Sequence, residues 1–300
     1  MKIAVTGGTG QLARSIAERG PFVGHEVIAV GRPALDLAIN NDGVVHAALD
    51  AVRPDVIVNA AAHTAVDKAE SERDIAFAIN AVGAGAVARA AARIGVPLVH
   101  ISTDYVFAGD KAEPYVESDP TGPTGVYGAS KLAGEEAVLA SGADVAILRT
   151  AWVYSPFGVN FVKTMLRLAE ARDEVGVVGD QYGNPTSALD LADAVIAVAQ
   201  HLVDGRDVRH RGIFHAAGNG EGTWADLAEI VFAASASNGG PSAHVKHIAT
   251  VDYPTPARRP SNSRLNCTAL FDRHGVSLPD WRVSAAAVTA RLLHEEATIA

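Results

Sequence analysis

Lys2-Ile3-Ala4-Val5-Thr6-Gly7-Gly8-Thr9-Gly10-Gln11-Leu12-Ala13 decides how this chain folds. Lys2 to Thr6 reads as a short buried strand, and an apolar-periodic helix follows to about Arg19. Gly7, Gly8 and Gly10 lie between them. Strand, glycine turn and helix are the context a dinucleotide fingerprint requires, and Gly8-x-Gly10-x-x-Ala13 fits its Gly/Ala-ended form. The glycines let backbone amides approach a pyrophosphate, whose charge the helix N-terminus stabilises. A plain tight turn is the alternative reading.

The next strand, His25 to Val30, ends in Gly31-Arg32 instead of the carboxylate that commonly holds adenosine ribose hydroxyls. A guanidinium suits a 2′-phosphate, which tilts the cofactor towards NADPH, with NADH the alternative and a solvated Arg32 the plain reading. Asp36-Leu37 precedes a helix expected from Asn41 to Val52; the aspartate contacts an adenine amine or caps that helix. Asp55 to Asn59 is the third strand, and the small residues Ala60-Ala61-Ala62 at its end leave room for a flat cofactor. Charged Ala65 to Glu70 continues into a long helix through about Arg93. Asn80 on that helix is either a buried structural amide or a group holding backbone near the site. Leu98 to Ile101 is the fourth strand, closed by Ser102-Thr103-Asp104-Tyr105-Val106-Phe107, and hydroxyls at such a strand end face the ligand crevice.

After a proline- and glycine-rich loop from Gly109 to Gly125 comes a helix carrying Tyr127-Gly128-Ala129-Ser130-Lys131, through about Leu139. Tyrosine and lysine four apart share one helical face. An ammonium there stabilises a phenolate, and lowering a phenol by ~3 pKa units takes roughly 4 kcal/mol. The pair suits proton transfer to a carbonyl oxygen while a hydride reaches the carbon; exposed helix neighbours are the plain reading. Asp144 to Leu148 is a fifth strand. Beyond it, Trp152 either packs in the core or offers a flat face to a sugar or base. The second half reads as helices from Phe157 to Ala171, Ser187 to Val203 and Thr223 to Ala234, with strands at Glu174 to Val178, Gly212 to Ala216 and His244 to Ile248. Helices near Thr268 to His274 and Val283 to Glu296 look like packing elements. Arg258, Arg259 and Arg264 sit in a stiff, proline-rich loop, as a clamp on a diphosphate or as partners of surface acids.

With 300 residues, 48% of them hydrophobic, the chain can bury a large core. A net charge of -9 argues against nucleic-acid and acidic-membrane partners. The single cysteine, Cys267, excludes an internal disulfide and fits a cytoplasmic setting. The immediate entry into a strand speaks against a signal peptide, and polar residues or glycines interrupt every apolar run before it reaches membrane-spanning length. No histidine cluster or Cys/His spacing marks a catalytic metal.

Thr103, Tyr127 and Lys131 resemble the triad of short-chain dehydrogenases, and Gly7-x-x-Gly10-x-x-Ala13 fits the spacing of the extended branch. Four longer blocks, 59–70, 102–107, 180–186 and 253–265, are similar to the dTDP-4-dehydrorhamnose reductase family, nearly end to end. The resemblance implies a doubly wound, Rossmann-like parallel α/β sheet at 1–150, with a segment around 187–216 returning to it. A smaller, mostly helical nucleotide-sugar lobe is implied for 151–300. It further implies that Gly10, Gln11, Leu12, Asp36, Leu37, Ala62, His63 and Thr64 contact the cofactor; Gly7 and Arg32 join them on the residue reading above, Gly31-Arg32 replacing an acidic strand end found in some members. Tyr127 would donate the proton, Lys131 would bind the nicotinamide ribose and bias the tyrosine, Thr103 would hold the keto oxygen, and Asp104 and Trp152 would touch substrate. The implied reaction is reduction of dTDP-4-dehydro-L-rhamnose. Some members carry Mg2+ on acidic side chains at a homodimer contact, but Ser15 stands where one such acid would sit. Nucleotide-sugar epimerases and dehydratases, and a non-catalytic regulatory subunit, share the scaffold and are the rival readings.

Overall fold

Ile3, Ala4 and Val5 are fully buried, and Lys2–Thr6 (β1) lies inside a parallel sheet. The computed structural model describes residues 1–39, 41–205 and 207–299, with side chains through Glu295. Gln11–Phe22 (α1) follows the glycine turn, and Glu26–Val30 (β2) pairs parallel with β1, Lys2 beside Glu26. Asp42–Asp50 (α2) starts where the Asn41 side chain accepts from the Gly43 and Val44 amides, so Asn41, and not Asp36, caps it. Val56–Asn59 (β3) then pairs on the other side of β1. That reversal is a topological switch point, where doubly wound sheets bind ligands beyond the carboxyl ends of their strands.

The long helix expected through Arg93 is broken. Val66–Ala69 (α3) and Arg73–Phe77 (α4) are short, a π turn occupies Ala78–Gly83, and Ala84–Ile94 (α5) completes the run. Arg73–Ile94 spans 22 residues and holds an 18-residue window with a mean hydropathy of 1.5, long and apolar enough by length and composition to cross a membrane. This corrects the expectation that no run reaches that length. The stretch is mostly buried inside the fold, with α5 against α2, so core packing accounts for its apolarity.

Leu98–Thr103 (β4) runs two residues further than expected and places Ser102 and Thr103 at the strand end. Val126–Leu139 (α6) leads into Val145–Thr150 (β5). The intervening loop is pinned by Tyr115, whose hydroxyl accepts from the Gly109, Asp110 and Lys111 amides. The chain then leaves the sheet through Val153–Tyr154 (β6), Phe161–Ala169 (α7), Glu174–Val178 (β7), Tyr182–Gly183 (β8) and Thr186–Ser187 (β9). Ala188–Asp204 (α8) returns to it, packing Leu191, Val195 and Val198 against Ile3, Val58 and Leu148. Gly212–His215 (β10) adds an edge strand, giving the all-parallel order β10-β5-β4-β3-β1-β2. On the opposite face, Val45, Leu49 and Val87 cover Ala4, Ile57 and Leu98.

Gly222–Thr223 (β11) precedes Trp224–Ser237 (α9), which Thr223 and Asp226 close with a capping box. His244–Ile248 (β12), Thr268–His274 (α10) and Trp281–Ile299 (α11) complete the chain. A second core gathers α7, α9 and α11 around Val162, Phe232 and the fully buried Trp281, with β12 paired to β7.

Candidate active site

A cleft of about 1430 Å3 opens at the carboxyl ends of β1, β3 and β4. Its floor is the glycine turn. Gly7 has φ 77°, and a Cβ there would stand 2.8 Å from the Ala61 Cα, so backbone meets backbone and only glycine fits. Gly10, Gln11 and Leu12 line the cleft beside it. The Gln11 Oε1 accepts from Ser155 Oγ (2.8 Å) and Asn160 Nδ2 (3.1 Å), tying α1 to the chain beyond β6. Arg32, Asp36 and Leu37 line the β2 side. Arg32 is exposed and has no salt bridge among the described residues, while Asp36 Oδ1 accepts from the Ala38 amide at 3.0 Å. Ala62 and Thr64 also line the cleft. His63 does not: its Nε2 pairs with Glu72 Oε2 at 2.9 Å, and its amide donates to Asn80 Oδ1 at 2.8 Å. His63 here ties the end of β3 to the helix that follows.

Tyr127 and Lys131 face the cleft from the first turns of α6. The Glu70 carboxylate accepts from the Val126 amide at 2.8 Å and complements that helix end. Asn80 Nδ2 donates to Ser130 Oγ at 2.9 Å and to the His63 carbonyl at 3.1 Å, so one amide locks α6 to the chain after β3. Lys131 Nζ donates to the Ile101 carbonyl at 2.7 Å, and burial holds it down to about 8, with Glu135 opposing. Glu135 itself pairs bidentately with Arg149, both 2% exposed. Burial pushes the Tyr127 phenol up to about 12; its hydrogen bond with Thr103 opposes this, and Asp104 adds to it. In this structure the Lys131 ammonium is drawn to the Ile101 carbonyl. Thr103 Oγ1 donates to Asp104 Oδ1 at 2.8 Å. Asp104 is 2% exposed and pushed up to about 6 by burial, against hydrogen bonds from Ser263 and Thr103.

Trp152 borders the opposite wall with φ 48°, a left-handed conformation uncommon outside glycine and often found at ligand clamps. It stacks on Trp224, centroids 3.7 Å apart and planes 6° off parallel, and Trp224 Nε1 donates to Gln181 Oε1 at 3.2 Å. Trp224 went unmarked in the sequence; its only signal there was an aromatic residue directly after the Thr223 cap. Of the three arginines read as a diphosphate clamp or as partners of surface acids, two take the second arrangement in this structure. Arg259 pairs bidentately with Asp67 (2.8 and 3.1 Å), Arg264 pairs with Glu221 (2.7 Å) and donates to Asn262 and the Ala112 carbonyl, and Arg258 is exposed. None of the three lines the cleft.

The residues fit a phosphorylated dinucleotide: a turn with Gly7, Gly8 and Gly10, a helix N-terminus behind it, and an exposed guanidinium, without a salt bridge among the described residues, where a carboxylate would repel a 2′-phosphate. They do not fit an acid-held Mg2+. Ser15 is buried and donates to the Gln11 carbonyl, Arg291 engages Glu18, and Arg19 engages Asp193. Among the described residues no three carboxylates converge.

Residues 1–294 match the family model described as the RmlD substrate binding domain. The chain is 49% identical to the dTDP-4-dehydrorhamnose reductase of Sinorhizobium fredii, over 98% of this chain and 99% of that one. It is 43% identical to the Escherichia coli protein of the same name, over 98% of each. Among solved structures, the dTDP-4-dehydrorhamnose reductase of Clostridium acetobutylicum superposes with a TM-score of 0.89 at 38% identity, covering 98% of this chain and 100% of that chain. The Bacillus anthracis reductase, solved in complex with NADP, superposes with a TM-score of 0.87 at 34% identity, covering 97% and 99%. A match this complete, on a chain whose glycine turn, Tyr127, Lys131 and Thr103 share one crevice, shows that the protein belongs to the dTDP-4-dehydrorhamnose reductase family.

Proposed function

We propose that the chain reduces the C4 keto group of dTDP-4-dehydro-β-L-rhamnose to dTDP-β-L-rhamnose, the last step of dTDP-L-rhamnose synthesis, with NADPH preferred over NADH. The observation that carries this is the convergence of Tyr127, Lys131 and Thr103 on the crevice that also holds the glycine turn. The reduced nicotinamide, when bound, supplies the hydride that C4 accepts. Gly7 and Gly10 leave room for the pyrophosphate, Arg32 meets the 2′-phosphate, and Lys131 is placed for the nicotinamide ribose. Tyr127, held as a phenol by its burial, gives its proton to O4 as negative charge develops there. Thr103 hydrogen-bonds the same oxygen and fixes the tyrosine. The Trp152–Trp224 stack offers an aromatic wall to the sugar or the thymine base. A cytoplasmic setting is supported by the lone thiol of Cys267, which is unpaired.

The test is consumption of NADPH by the purified protein given dTDP-4-dehydrorhamnose, with the product identified. Stoichiometric consumption and a dTDP-rhamnose product support the reading. Turnover without added reductant points to an epimerase or dehydratase, and absence of turnover beside a stably bound protein partner points to the regulatory rival.

A further inference from the structure

Eleven histidines are spread through the chain, and no local spacing groups them. The fold gathers three. His201 lies in the last turn of α8, His210 ends a short 3-10 turn at Val208–His210, and His274 is the last residue of α10. One ring nitrogen from each lies within 4.8 Å of the others. His201 Nδ1 and His274 Nδ1 share a hydrogen bond at 3.2 Å, and an ion bridging them would take the place of its proton, since the separation is close to the ~3.3 Å edge of a tetrahedron with metal–nitrogen arms of ~2.0–2.1 Å.

We propose that His201, His210 and His274 form a binding site for a divalent transition metal ion, Zn2+ by preference, on the side of the sheet away from the active site.

Three observations support it. Buried nitrogens there lack partners: His210 Nδ1 and His274 Nε2 have no hydrogen bond, and His274 is only 5% exposed. Native proteins seldom leave such atoms unpaired. The electrostatics suit a cation. The cluster includes the last turn of α8, Asp204 and Asp207 lie in reach of its rings, and the nearby Arg209 and Arg211 are paired with Asp207 and Asp144. Finally, His201 and His210 are half-buried, which leaves a coordination position open to water. The rings now lie stacked, with planes 19–27° apart, and rotation about their Cβ–Cγ bonds fans the nitrogens around an ion. Imidazole donors select Zn2+, Cu2+ and Ni2+ over Mg2+.

The cluster sits where α8 ends and just before β10 begins, at the amino ends of the strands, whereas the catalytic crevice lies at their carboxyl ends. An ion there clips α10 and the segment before β10 onto α8, which is a structural role. Tertiary contact, and no local spacing, brings the three histidines together.

The test uses tag-free, full-length protein stripped with a chelator and titrated with Zn2+ by calorimetry, and with Co2+ by visible absorption. The expected result is one equivalent bound and tetrahedral Co2+ bands. Thermal midpoint should rise by about 4 °C or more when free Zn2+ is ~100-fold above Kd. H201Q and H210Q, each checked by circular dichroism, should lose affinity at least ~10-fold while NADPH oxidation is retained. If one variant does not fold, the other carries the comparison. No binding by the wild type at 1 mM-scale Zn2+, or unchanged affinity in both folded variants, overturns the proposal.

Discussion

At neutral pH Tyr127 meets its substrate as a phenol and Lys131 as an ammonium, because burial pushes the first up to about 12 and the second only down to about 8. That is the protonation state a reductase needs in the direction of alcohol formation. Asp104 beside them is less comfortable. Its carboxyl is raised to about 6 by burial, so between about 4, the ordinary carboxylate range, and about 6 the folded chain binds a proton the unfolded chain lacks. Stability contributed by this residue is therefore greatest below that range and falls as pH rises through 6, at a cost of order 3 kcal/mol. Asp104→Asn should raise the unfolding free energy from urea titration at pH 7.5 by about 1–3 kcal/mol, and the gain should vanish near pH 4; a destabilised variant at pH 7.5 would contradict this. Arg32 is the second residue to change. Arg32→Ser should cut kcat/KM for NADPH roughly 10–100-fold while leaving NADH nearly untouched, as expected for loss of a charge-assisted contact; equal losses with both cofactors would remove it from the 2′-phosphate. Tyr127 and Lys131 could be read from sequence because a spacing of four is the helical period. Arg259 and Arg264 could not be assigned, because their partners Asp67 and Glu221 come from segments distant along the chain.

The element that matters most is α6, and three contacts fix it. Glu70 meets its N-terminus, Asn80 bonds Ser130, and at Gly134 a Cβ would overlap the Asn80 carbonyl, so the π turn and the catalytic helix pack backbone to backbone. Asn80→Ala removes hydrogen bonds to the His63 amide and carbonyl and to Ser130. A loss of about 1–3 kcal/mol follows from leaving buried backbone groups unpaired. Because Tyr127 rides on that helix, kcat should fall more than KM changes; a variant with wild-type kcat would show that the link is only structural. Glu135→Gln should cost more, about 3–5 kcal/mol in urea unfolding, since it strands the buried Arg149 guanidinium. The strand and helix types of this region were visible in hydrophobic period. The π turn was not, because periodicity reports which face is apolar and does not register one extra residue in the hydrogen-bond ladder. Asn80 in an apolar stretch was its one trace.

At the scale of the molecule, a six-stranded parallel sheet carries the glycine turn and the triad at one end, and a second core built around Trp281 supplies the facing wall through Trp224. Strand–turn–helix alternation made the parallel sheet legible. The meeting of Trp152 with Trp224 depends on how two cores pack, which no local pattern records. The same holds for His201, His210 and His274. The central claim is that this crevice transfers a hydride to a 4-keto sugar while Tyr127 delivers the proton. The most direct test is single-enzyme NADPH oxidation with dTDP-4-dehydrorhamnose by the wild type and by Tyr127→Phe, with cofactor binding measured in both. The account predicts dTDP-rhamnose from the wild type and a rate about 10²–10⁴-fold lower in the variant at unchanged cofactor affinity. A Tyr127→Phe protein that binds cofactor and reduces the sugar at the wild-type rate would contradict it.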